Sequence, residues 1–95
     1  RRASINSRNA KRKADLETVR QAMIMYRSEE GTYPPTGSGE LFPSLVITLY
    51  EAGYLSESSL SDPLEGHEYT YDGDKTLQAI LEPYEDAETY EIRLP

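Results

Sequence analysis

The longest regular pattern in the chain is a helical one that runs from about Ser4 to Glu30. Apolar side chains recur there every three or four residues, which places them on one face of an α-helix. The residues of this stripe are Leu16, Val19, Met23 and Tyr26, with Ala22 beside them. No proline or glycine interrupts the run before Gly31. The pattern predicts a spine helix about 40 Å long, at about 1.5 Å per residue, whose apolar stripe packs against the body of the protein.

Only the second half of this spine helix carries a dense apolar stripe. Before Leu16, Ile5 is the only apolar residue that falls on the same face. A compact domain of this length has a radius of gyration of about 12–13 Å, so it cannot cover the whole helix. We therefore expect the second half to pack on the body and the first half to protrude into solvent.

A second, shorter helix is predicted after the spine helix. Leu45 and Leu49 recur at helical spacing and mark its buried side. They predict a helix from about Phe42 or Pro43 to Ala52, since proline is well accommodated in the first helical turn.

Beyond residue 66 the pattern changes to alternation, which is typical of β-strands. Three such stretches follow one another, at residues 67–71, 76–82 and 90–94. Asp72-Gly73, between the first two, is a strong hairpin-turn dipeptide. An acidic loop connects the second stretch to the third, so the pattern predicts an antiparallel meander.

The chain length and this order of elements fit one small domain. The predicted fold class is α+β, with a three-stranded antiparallel sheet laid across the second half of the spine helix. The predicted parts of this single domain, residues 1–95, are the spine helix at 4–30, a loop with the short helix at 31–66 and the sheet at 67–95.

Charge is divided very unevenly along the chain. Eight basic and two acidic residues precede Glu29, whereas two basic and fifteen acidic residues lie from Glu29 onward. The net charge of −7 therefore hides a dipolar molecule with a basic stem and an acidic body.

The residue types exclude several classes of function. The chain has no cysteine and a single histidine, His67, so it has no disulfide scaffold, no thiolate zinc site and no imidazole pair for a metal. We expect His67 to lie half-buried at the start of a strand. No nucleotide-binding or nucleophile-elbow motif occurs. These observations predict a protein that is not an enzyme.

No apolar run in the sequence approaches the ~20 residues that a membrane-spanning helix needs, and none has the form of a signal-peptide apolar region. The chain also begins without methionine, in the middle of a helical pattern. We therefore expect it to be a trimmed or processed product, whose missing part can include a membrane segment.

In their order and spacing, these features resemble the soluble part of a type IV pilin-like protein. They are most similar to the major pseudopilin of type II secretion systems, from about Asn9 to Tyr71. The residues that carry the resemblance are Asp15, Leu16, Val19, Ala22 and Tyr26 of the spine helix, Gly31-Thr32-Tyr33-Pro34, Leu45, Leu49, Gly53-Tyr54-Leu55, Asp62-Pro63, Gly66 and Tyr69-Thr70-Tyr71.

The resemblance implies a ladle-shaped fold, in which the second half of a long N-terminal helix packs on a small sheet. It also implies a prepilin leader and about 20–25 apolar residues that anchor the subunit in the inner membrane before assembly, with the soluble domain periplasmic or extracellular. Neither the leader cleavage motif nor the glutamate near the mature N-terminus matches a residue of this sequence. Without the anchor, we expect the chain to be a monomer.

The basic run, which is Arg8, Lys11, Arg12 and Lys13, has two interpretations. Its charges can contact nucleic-acid phosphates or an anionic membrane surface, although no aromatic residue lies among them to stack on bases. Alternatively, the run is a solvated stem, which in a fibre can meet the acidic body of a neighbouring subunit.

A second stripe lies on the side of the spine helix opposite the apolar one. At about 100° per residue, it groups five uncharged residues, which are Ala10, Ala14, Thr18, Gln21 and Met25. Small, neutral residues on an exposed face allow another helix to approach closely. We predict that this neutral face is a subunit interface in the core of a helical polymer, and the alternative is a chance grouping.

Acidic residues crowd the turns of the predicted sheet. Asp72 and Asp74 flank Gly73, and Asp86 lies in the acidic loop that follows. Such hard oxygen ligands suit Ca²⁺, although the spacing does not match an EF-hand loop. The resemblance also implies a calcium site in the C-terminal loops, without assigning it to particular residues. The alternative is an ordinary Asp-Gly turn and a solvated loop.

Two hypotheses of function follow. In the first, the chain is a structural subunit of a type IV pilus or a type II secretion pseudopilus and polymerises with other subunits through its N-terminal helix. In the second, it is a nucleic-acid-binding module that uses the basic stem, including a DNA-uptake pilin. A nucleic-acid arm predicts an affinity that falls steeply with salt, whereas a pilin stem does not.

Overall fold

The computed structural model describes residues 2–35, 42–72 and 75–95. The elements in chain order are helix α1 (Arg2–Glu30), helix α2 (Phe42–Glu51), strand β1 (Thr70–Tyr71), strand β2 (Thr76–Leu81), a 3₁₀ turn (Tyr84–Asp86) and strand β3 (Glu88–Arg93). A long helix, a short helix and three antiparallel strands confirm the predicted α+β fold class.

Helix α1 sets the length of the molecule. Its 29 residues extend about 43 Å at about 1.5 Å per residue, and the molecule measures 43 × 25 × 22 Å. The helix ends where Gly31 adopts a φ of +87°, a conformation that glycine adopts without steric penalty. Within the described ranges, neither helix combines the length and the apolar character needed to cross a bilayer.

The three strands form an antiparallel sheet in the order β1-β2-β3. Strand β2 is central and pairs with all six residues of β3. Its side chains alternate, because Leu77 and Ala79 are buried while Ile80 is exposed on the other face. One face of the sheet is therefore covered, and the other is mostly open to solvent, with Thr76 buried at its end.

The core lies between α1, α2 and the inner face of the sheet. Its buried apolar residues are Leu16, Val19, Ala22 and Met23 from α1, Phe42, Leu45, Val46 and Leu49 from α2, and Leu77 and Ala79 from β2, together with Leu55, Tyr69 and Leu94. The core residues of α1 begin only at Leu16, so apolar packing holds the second half of this helix.

The first and last strands differ from their predicted bounds. Strand β1 is limited to Thr70–Tyr71, because the residues before it follow a turn in which the His67 N–H donates to the Leu64 carbonyl at 3.3 Å. The His67 ring is exposed rather than half-buried, and it stacks on Tyr84 with 4.5 Å between ring centres. Strand β3 begins at Glu88, earlier than predicted, since β2 continues opposite it.

Candidate functional site

Helix α1 carries its two predicted stripes on opposite sides. On the inner side, Leu16, Val19 and Met23 are fully buried. Tyr26 is half-buried and meets the ring of Tyr54 edge to face, with 5.7 Å between ring centres. These contacts hold the second half of the helix to the body.

The neutral face lies on the outer side of α1. All five of its residues are exposed, and Met25, the largest apolar one, is 53% exposed. The five positions fall within an arc of about 80°, at about 100° per residue. They therefore form one uncharged strip along the helix that no part of the described chain covers.

The basic run is not a free stem, because the side chain of Arg12 is 0% exposed. Its guanidinium donates two hydrogen bonds to Asp62, from Nε at 2.9 Å and from Nη2 at 3.0 Å. Nη1 donates to Asn9 Oδ1 at 2.7 Å and lies 2.9 Å from Glu82 Oε2, and Nη2 also donates to the Tyr84 hydroxyl at 2.9 Å. All five N–H groups of the guanidinium thus face an acceptor.

Arg8 joins the same cluster from one turn earlier in α1. Its Nε and Nη2 donate to the two carboxylate oxygens of Glu82, at 2.5 and 2.7 Å. Asn9, beside Arg8, hydrogen-bonds the backbone of Glu82. The polar clamp, as we name this cluster, consists of Arg8, Asn9, Arg12, Asp62 and Glu82.

The clamp keeps its two cations and two anions ionised. Hydrogen bonds from Arg8, reinforced by Arg12, lower the pKa of Glu82 to about 2. Burial raises the pKa of Asp62, but hydrogen bonds from Arg12 and the Leu64 N–H outweigh it, and this pKa lies below its ordinary value. Burial also opposes the charge of Arg12, yet its carboxylate partners raise its pKa above the usual value. The clamp is therefore electrically neutral as a unit at neutral pH.

Lys11 forms a second polar link between α1 and the body. Its Nζ donates to Asp15 Oδ2 at 2.6 Å and to the Ser61 carbonyl at 3.0 Å. The same carboxylate oxygen accepts a hydrogen bond from the buried Tyr69 hydroxyl at 2.8 Å. This chain of contacts joins α1 to the loop before β1 and to the residue that precedes the strand.

The interpretation of the basic run as a surface for polyanions is wrong for Arg12, whose buried guanidinium is fully used within the chain. Arg8 and Lys11 also bind carboxylates of the same chain. Lys13 is exposed and, within the described ranges, pairs with no carboxylate; its Nζ lies 5.6 Å from the centre of the Tyr90 ring. The expectation that the first half of the helix protrudes is wrong for the same reason, since polar contacts tie it to the body from Arg8 onward.

The residues predicted to bind calcium are only partly described. Asp74 and Gly73 lie outside the described residues. Asp72 and Asp86 are exposed, and the Asp72 carbonyl accepts a hydrogen bond from the Lys75 N–H at 3.1 Å. Over residues 2–35, 42–72 and 75–95, no group of three or more acidic or histidine side chains is placed to hold a metal ion. The calcium site stays a prediction.

The partners of the basic run, Asp62, Glu82 and Asn9, were not predicted from the sequence. A signal for buried charge is nevertheless present, because Arg12 stands four residues before Leu16 and so continues the apolar stripe. A charged residue on such a stripe is buried only with a partner. The identity of the partner has no local signal, since the paired residues are 50 and 74 positions apart in the chain.

One protein family matches the chain. The model of the family described as type II secretion system (T2SS), protein G, matches residues 2–82. The chain belongs to this family. The matched part of this protein G family member runs from the start of α1 to the residue after β2, and it therefore includes the whole polar clamp. Comparisons with curated proteins and with solved structures found no match.

Membership in the protein G family confirms the predicted resemblance at the level of the family. Its members are the major pseudopilins, which are structural proteins of the cell envelope and assemble with other pseudopilin subunits. The family is thus a structural one and not a family of enzymes.

Proposed function

We propose that this member of the protein G family is a subunit of a type II secretion pseudopilus that polymerises through helix α1, with the neutral face against other subunits. The observation that carries the proposal is the exposed, uncharged strip along a helix of 29 residues. Family membership supports other pseudopilin subunits as the partners.

The absence of charge makes this face suitable for packing in a fibre core. Burying an unpaired charge costs several kcal/mol, so a face with lysine or glutamate packs only against matched charge. The small residues Ala10 and Ala14 allow a neighbouring helix axis to approach to about 8–10 Å. Met25 adds apolar area, which stabilises a contact by about 25 cal/mol per Å² buried.

The proposal places the subunit in the inner membrane before assembly, held by an apolar segment that precedes the present sequence, with the α+β domain in the periplasm. Family membership supports this arrangement. The position of the contacts supports it as well, because the core residues of α1 begin at Leu16 and the polar contacts with the body begin at Arg8, so that both leave the N-terminal end of the helix uncovered.

Charge placed on the neutral face tests the proposal. In cells whose type II secretion depends on the full-length protein, Ala14→Glu and Met25→Lys should abolish fibre assembly and secretion. The matched controls are Ser44→Glu and Ile47→Lys on the exposed side of α2, where Ile47 is 45% exposed. These controls should leave assembly intact.

The stability of the domain separates a lost contact from a lost fold. The free energy of unfolding of both neutral-face variants should lie within about 0.5 kcal/mol of the wild-type value, because both side chains are exposed. Normal fibre assembly by stably folded Ala14→Glu and Met25→Lys proteins would contradict the proposal.

The geometry of the basic run does not support the second hypothesis, a nucleic-acid-binding module. Arg8, Lys11 and Arg12 already bind carboxylates, and the net charge is −7. We expect no binding of duplex DNA tighter than about 10⁻⁴ M at physiological salt, the weak end of non-specific binding. Fluorescence anisotropy at two salt concentrations measures this, and a tight, steeply salt-dependent affinity would restore the second hypothesis.

A further inference from the structure

We propose that the polar clamp fixes the direction in which α1 leaves the body, and so positions the N-terminal end of the helix. The clamp joins three parts of the chain that are distant in sequence. These are the first half of α1, the loop before β1, which contributes Asp62, and the connection from β2 to β3, which contributes Glu82. No apolar core residue of α1 lies this close to the N-terminus.

The clamp lies between the apolar core and the N-terminal end of the helix. Among the described side chains before Arg8, none forms a hydrogen bond or ion pair with the body; Ser4, Asn6 and Ser7 are exposed, and Ile5 is half-buried. From Leu16 to Ser4 the helix extends about 18 Å, so a tilt of about 10° at Leu16 moves the helix end by about 3 Å. The apolar contacts begin at Leu16 and therefore do little to restrain a tilt about this residue. The clamp residues Arg8 and Arg12 lie nearer to the N-terminal end and restrain the tilt more effectively.

The contacts of the clamp specify orientation as well as distance. The bidentate pairs of Arg12 with Asp62 and of Arg8 with Glu82 are planar and directional. Asn9 adds contacts to backbone atoms, which move less than a side chain does. Arg12 is fully buried, and each of its N–H groups faces an acceptor. Hydrogen bonds from the guanidinium to water are therefore not an equally good alternative to these contacts.

This inference concerns the domain by itself and goes beyond the proposed function. Its consequence for a fibre rests on that function: the direction of α1 relative to the body then decides where each body stands around the fibre axis. The Arg8, Arg12, Asp62 and Glu82 side chains are accordingly positioning residues.

Distances between spin labels test the proposal directly, and the chain has no native cysteine to interfere. The reporter pair is Ser4→Cys in α1 with Ser44→Cys in α2. The control pair is Ser28→Cys in the second half of α1 with Ser44→Cys. All three serines are exposed. Double electron–electron resonance gives the distance distribution of each pair.

Two clamp variants and one matched control are compared. Arg8→Gln and Glu82→Gln each remove one charge at the edge of the clamp, where the Arg8 side chain is 28% exposed. Glu17→Gln also removes a carboxylate from an ion pair, but its partner Arg20 lies within α1. Both clamp variants should widen the reporter-pair distribution by about 3 Å or more, the displacement that a tilt of about 10° produces. The control pair should not change, and Glu17→Gln should change neither pair.

An unchanged reporter pair in both clamp variants would overturn the proposal. Equal widening of the reporter and control pairs would overturn it as well, because the clamp would then support the whole body and not the direction of the helix. Fibre assembly does not enter this measurement. A failure of the proposed function, which is scored by assembly, is thus distinguishable from a failure of the clamp.

Discussion

Asn9 binds both backbone polar groups of Glu82 with a single side-chain amide. Its Nδ2 donates to the Glu82 carbonyl at 3.0 Å, and its Oδ1 accepts a hydrogen bond from the Glu82 N–H at 3.1 Å. The amide takes the place that a peptide group of a neighbouring strand would occupy, just beyond the end of β2 at Leu81. The backbone polar groups after the strand are thereby satisfied by the helix, and α1 is tied to the end of the sheet.

Replacing Asn9 by alanine should lower the free energy of unfolding by about 1–3 kcal/mol. The Glu82 N–H and carbonyl lose their partner at a half-buried site, and Arg12 Nη1 loses one of its acceptors. The Asn6→Ala change, at an exposed position, should alter the free energy of unfolding by no more than about 0.5 kcal/mol. Equilibrium urea unfolding measures both values. Equal stabilities of the Asn9→Ala and Asn6→Ala proteins would show that the Asn9 side-chain contacts do not support the fold.

Removing one member of the Arg12–Asp62 pair should destabilise the domain more than neutralising both. Arg12→Met leaves a buried carboxylate without its cation, which costs about 3–5 kcal/mol, a large part of the about 5–15 kcal/mol that stabilises a domain. Adding Asp62→Asn removes that charge and keeps an acceptor for the Leu64 N–H, now bonded at 2.9 Å. A double-mutant cycle by urea unfolding should therefore show a favourable coupling energy, and purely additive effects would contradict this account.

Glu82 should make the domain lose stability in acid. Its pKa falls from 4.5 to about 2 on folding, so the carboxylate contributes stability above about pH 4.5 that is lost as the pH drops toward 2. The lowered pKa of Asp62 acts in the same direction. Glu82→Gln should flatten the pH dependence of the free energy of unfolding in this window. The exposed Glu85→Gln control should follow the wild-type curve, and a Glu82→Gln curve parallel to the wild type would refute the assignment.

Leu16 and Met25 lie on opposite sides of α1 and should respond differently to truncation. Leu16→Ala should destabilise the domain by about 2–5 kcal/mol, because the side chain is 0% exposed and its loss leaves a cavity. Met25→Ala, at a position that is 53% exposed, should change the free energy of unfolding by no more than about 0.5 kcal/mol. Urea unfolding of both variants measures the difference. A large loss in Met25→Ala would mean that the neutral face packs on the body and is not free for another subunit.

The sequence by itself determined the long helix, the short helix and the α+β class. Each of these depends on a local period: Leu16, Val19 and Met23 recur at helical spacing, whereas Leu77 and Ala79 alternate as in a strand. The neutral face follows from the same helical period and from the residue types along it. A local pattern is sufficient for such features because neighbouring residues in the chain are also neighbours on the element.

The tertiary structure decided what the basic run does and where β1 begins. By charge alone, Arg8 and Arg12 belong to a solvated stem. In the fold they meet Glu82 and Asp62, which lie 74 and 50 positions away along the chain. A contact between two residues that are distant in the chain leaves no periodic pattern in the sequence, so it cannot be predicted from local patterns. Only the packing of the apolar core brings these charges within hydrogen-bonding distance.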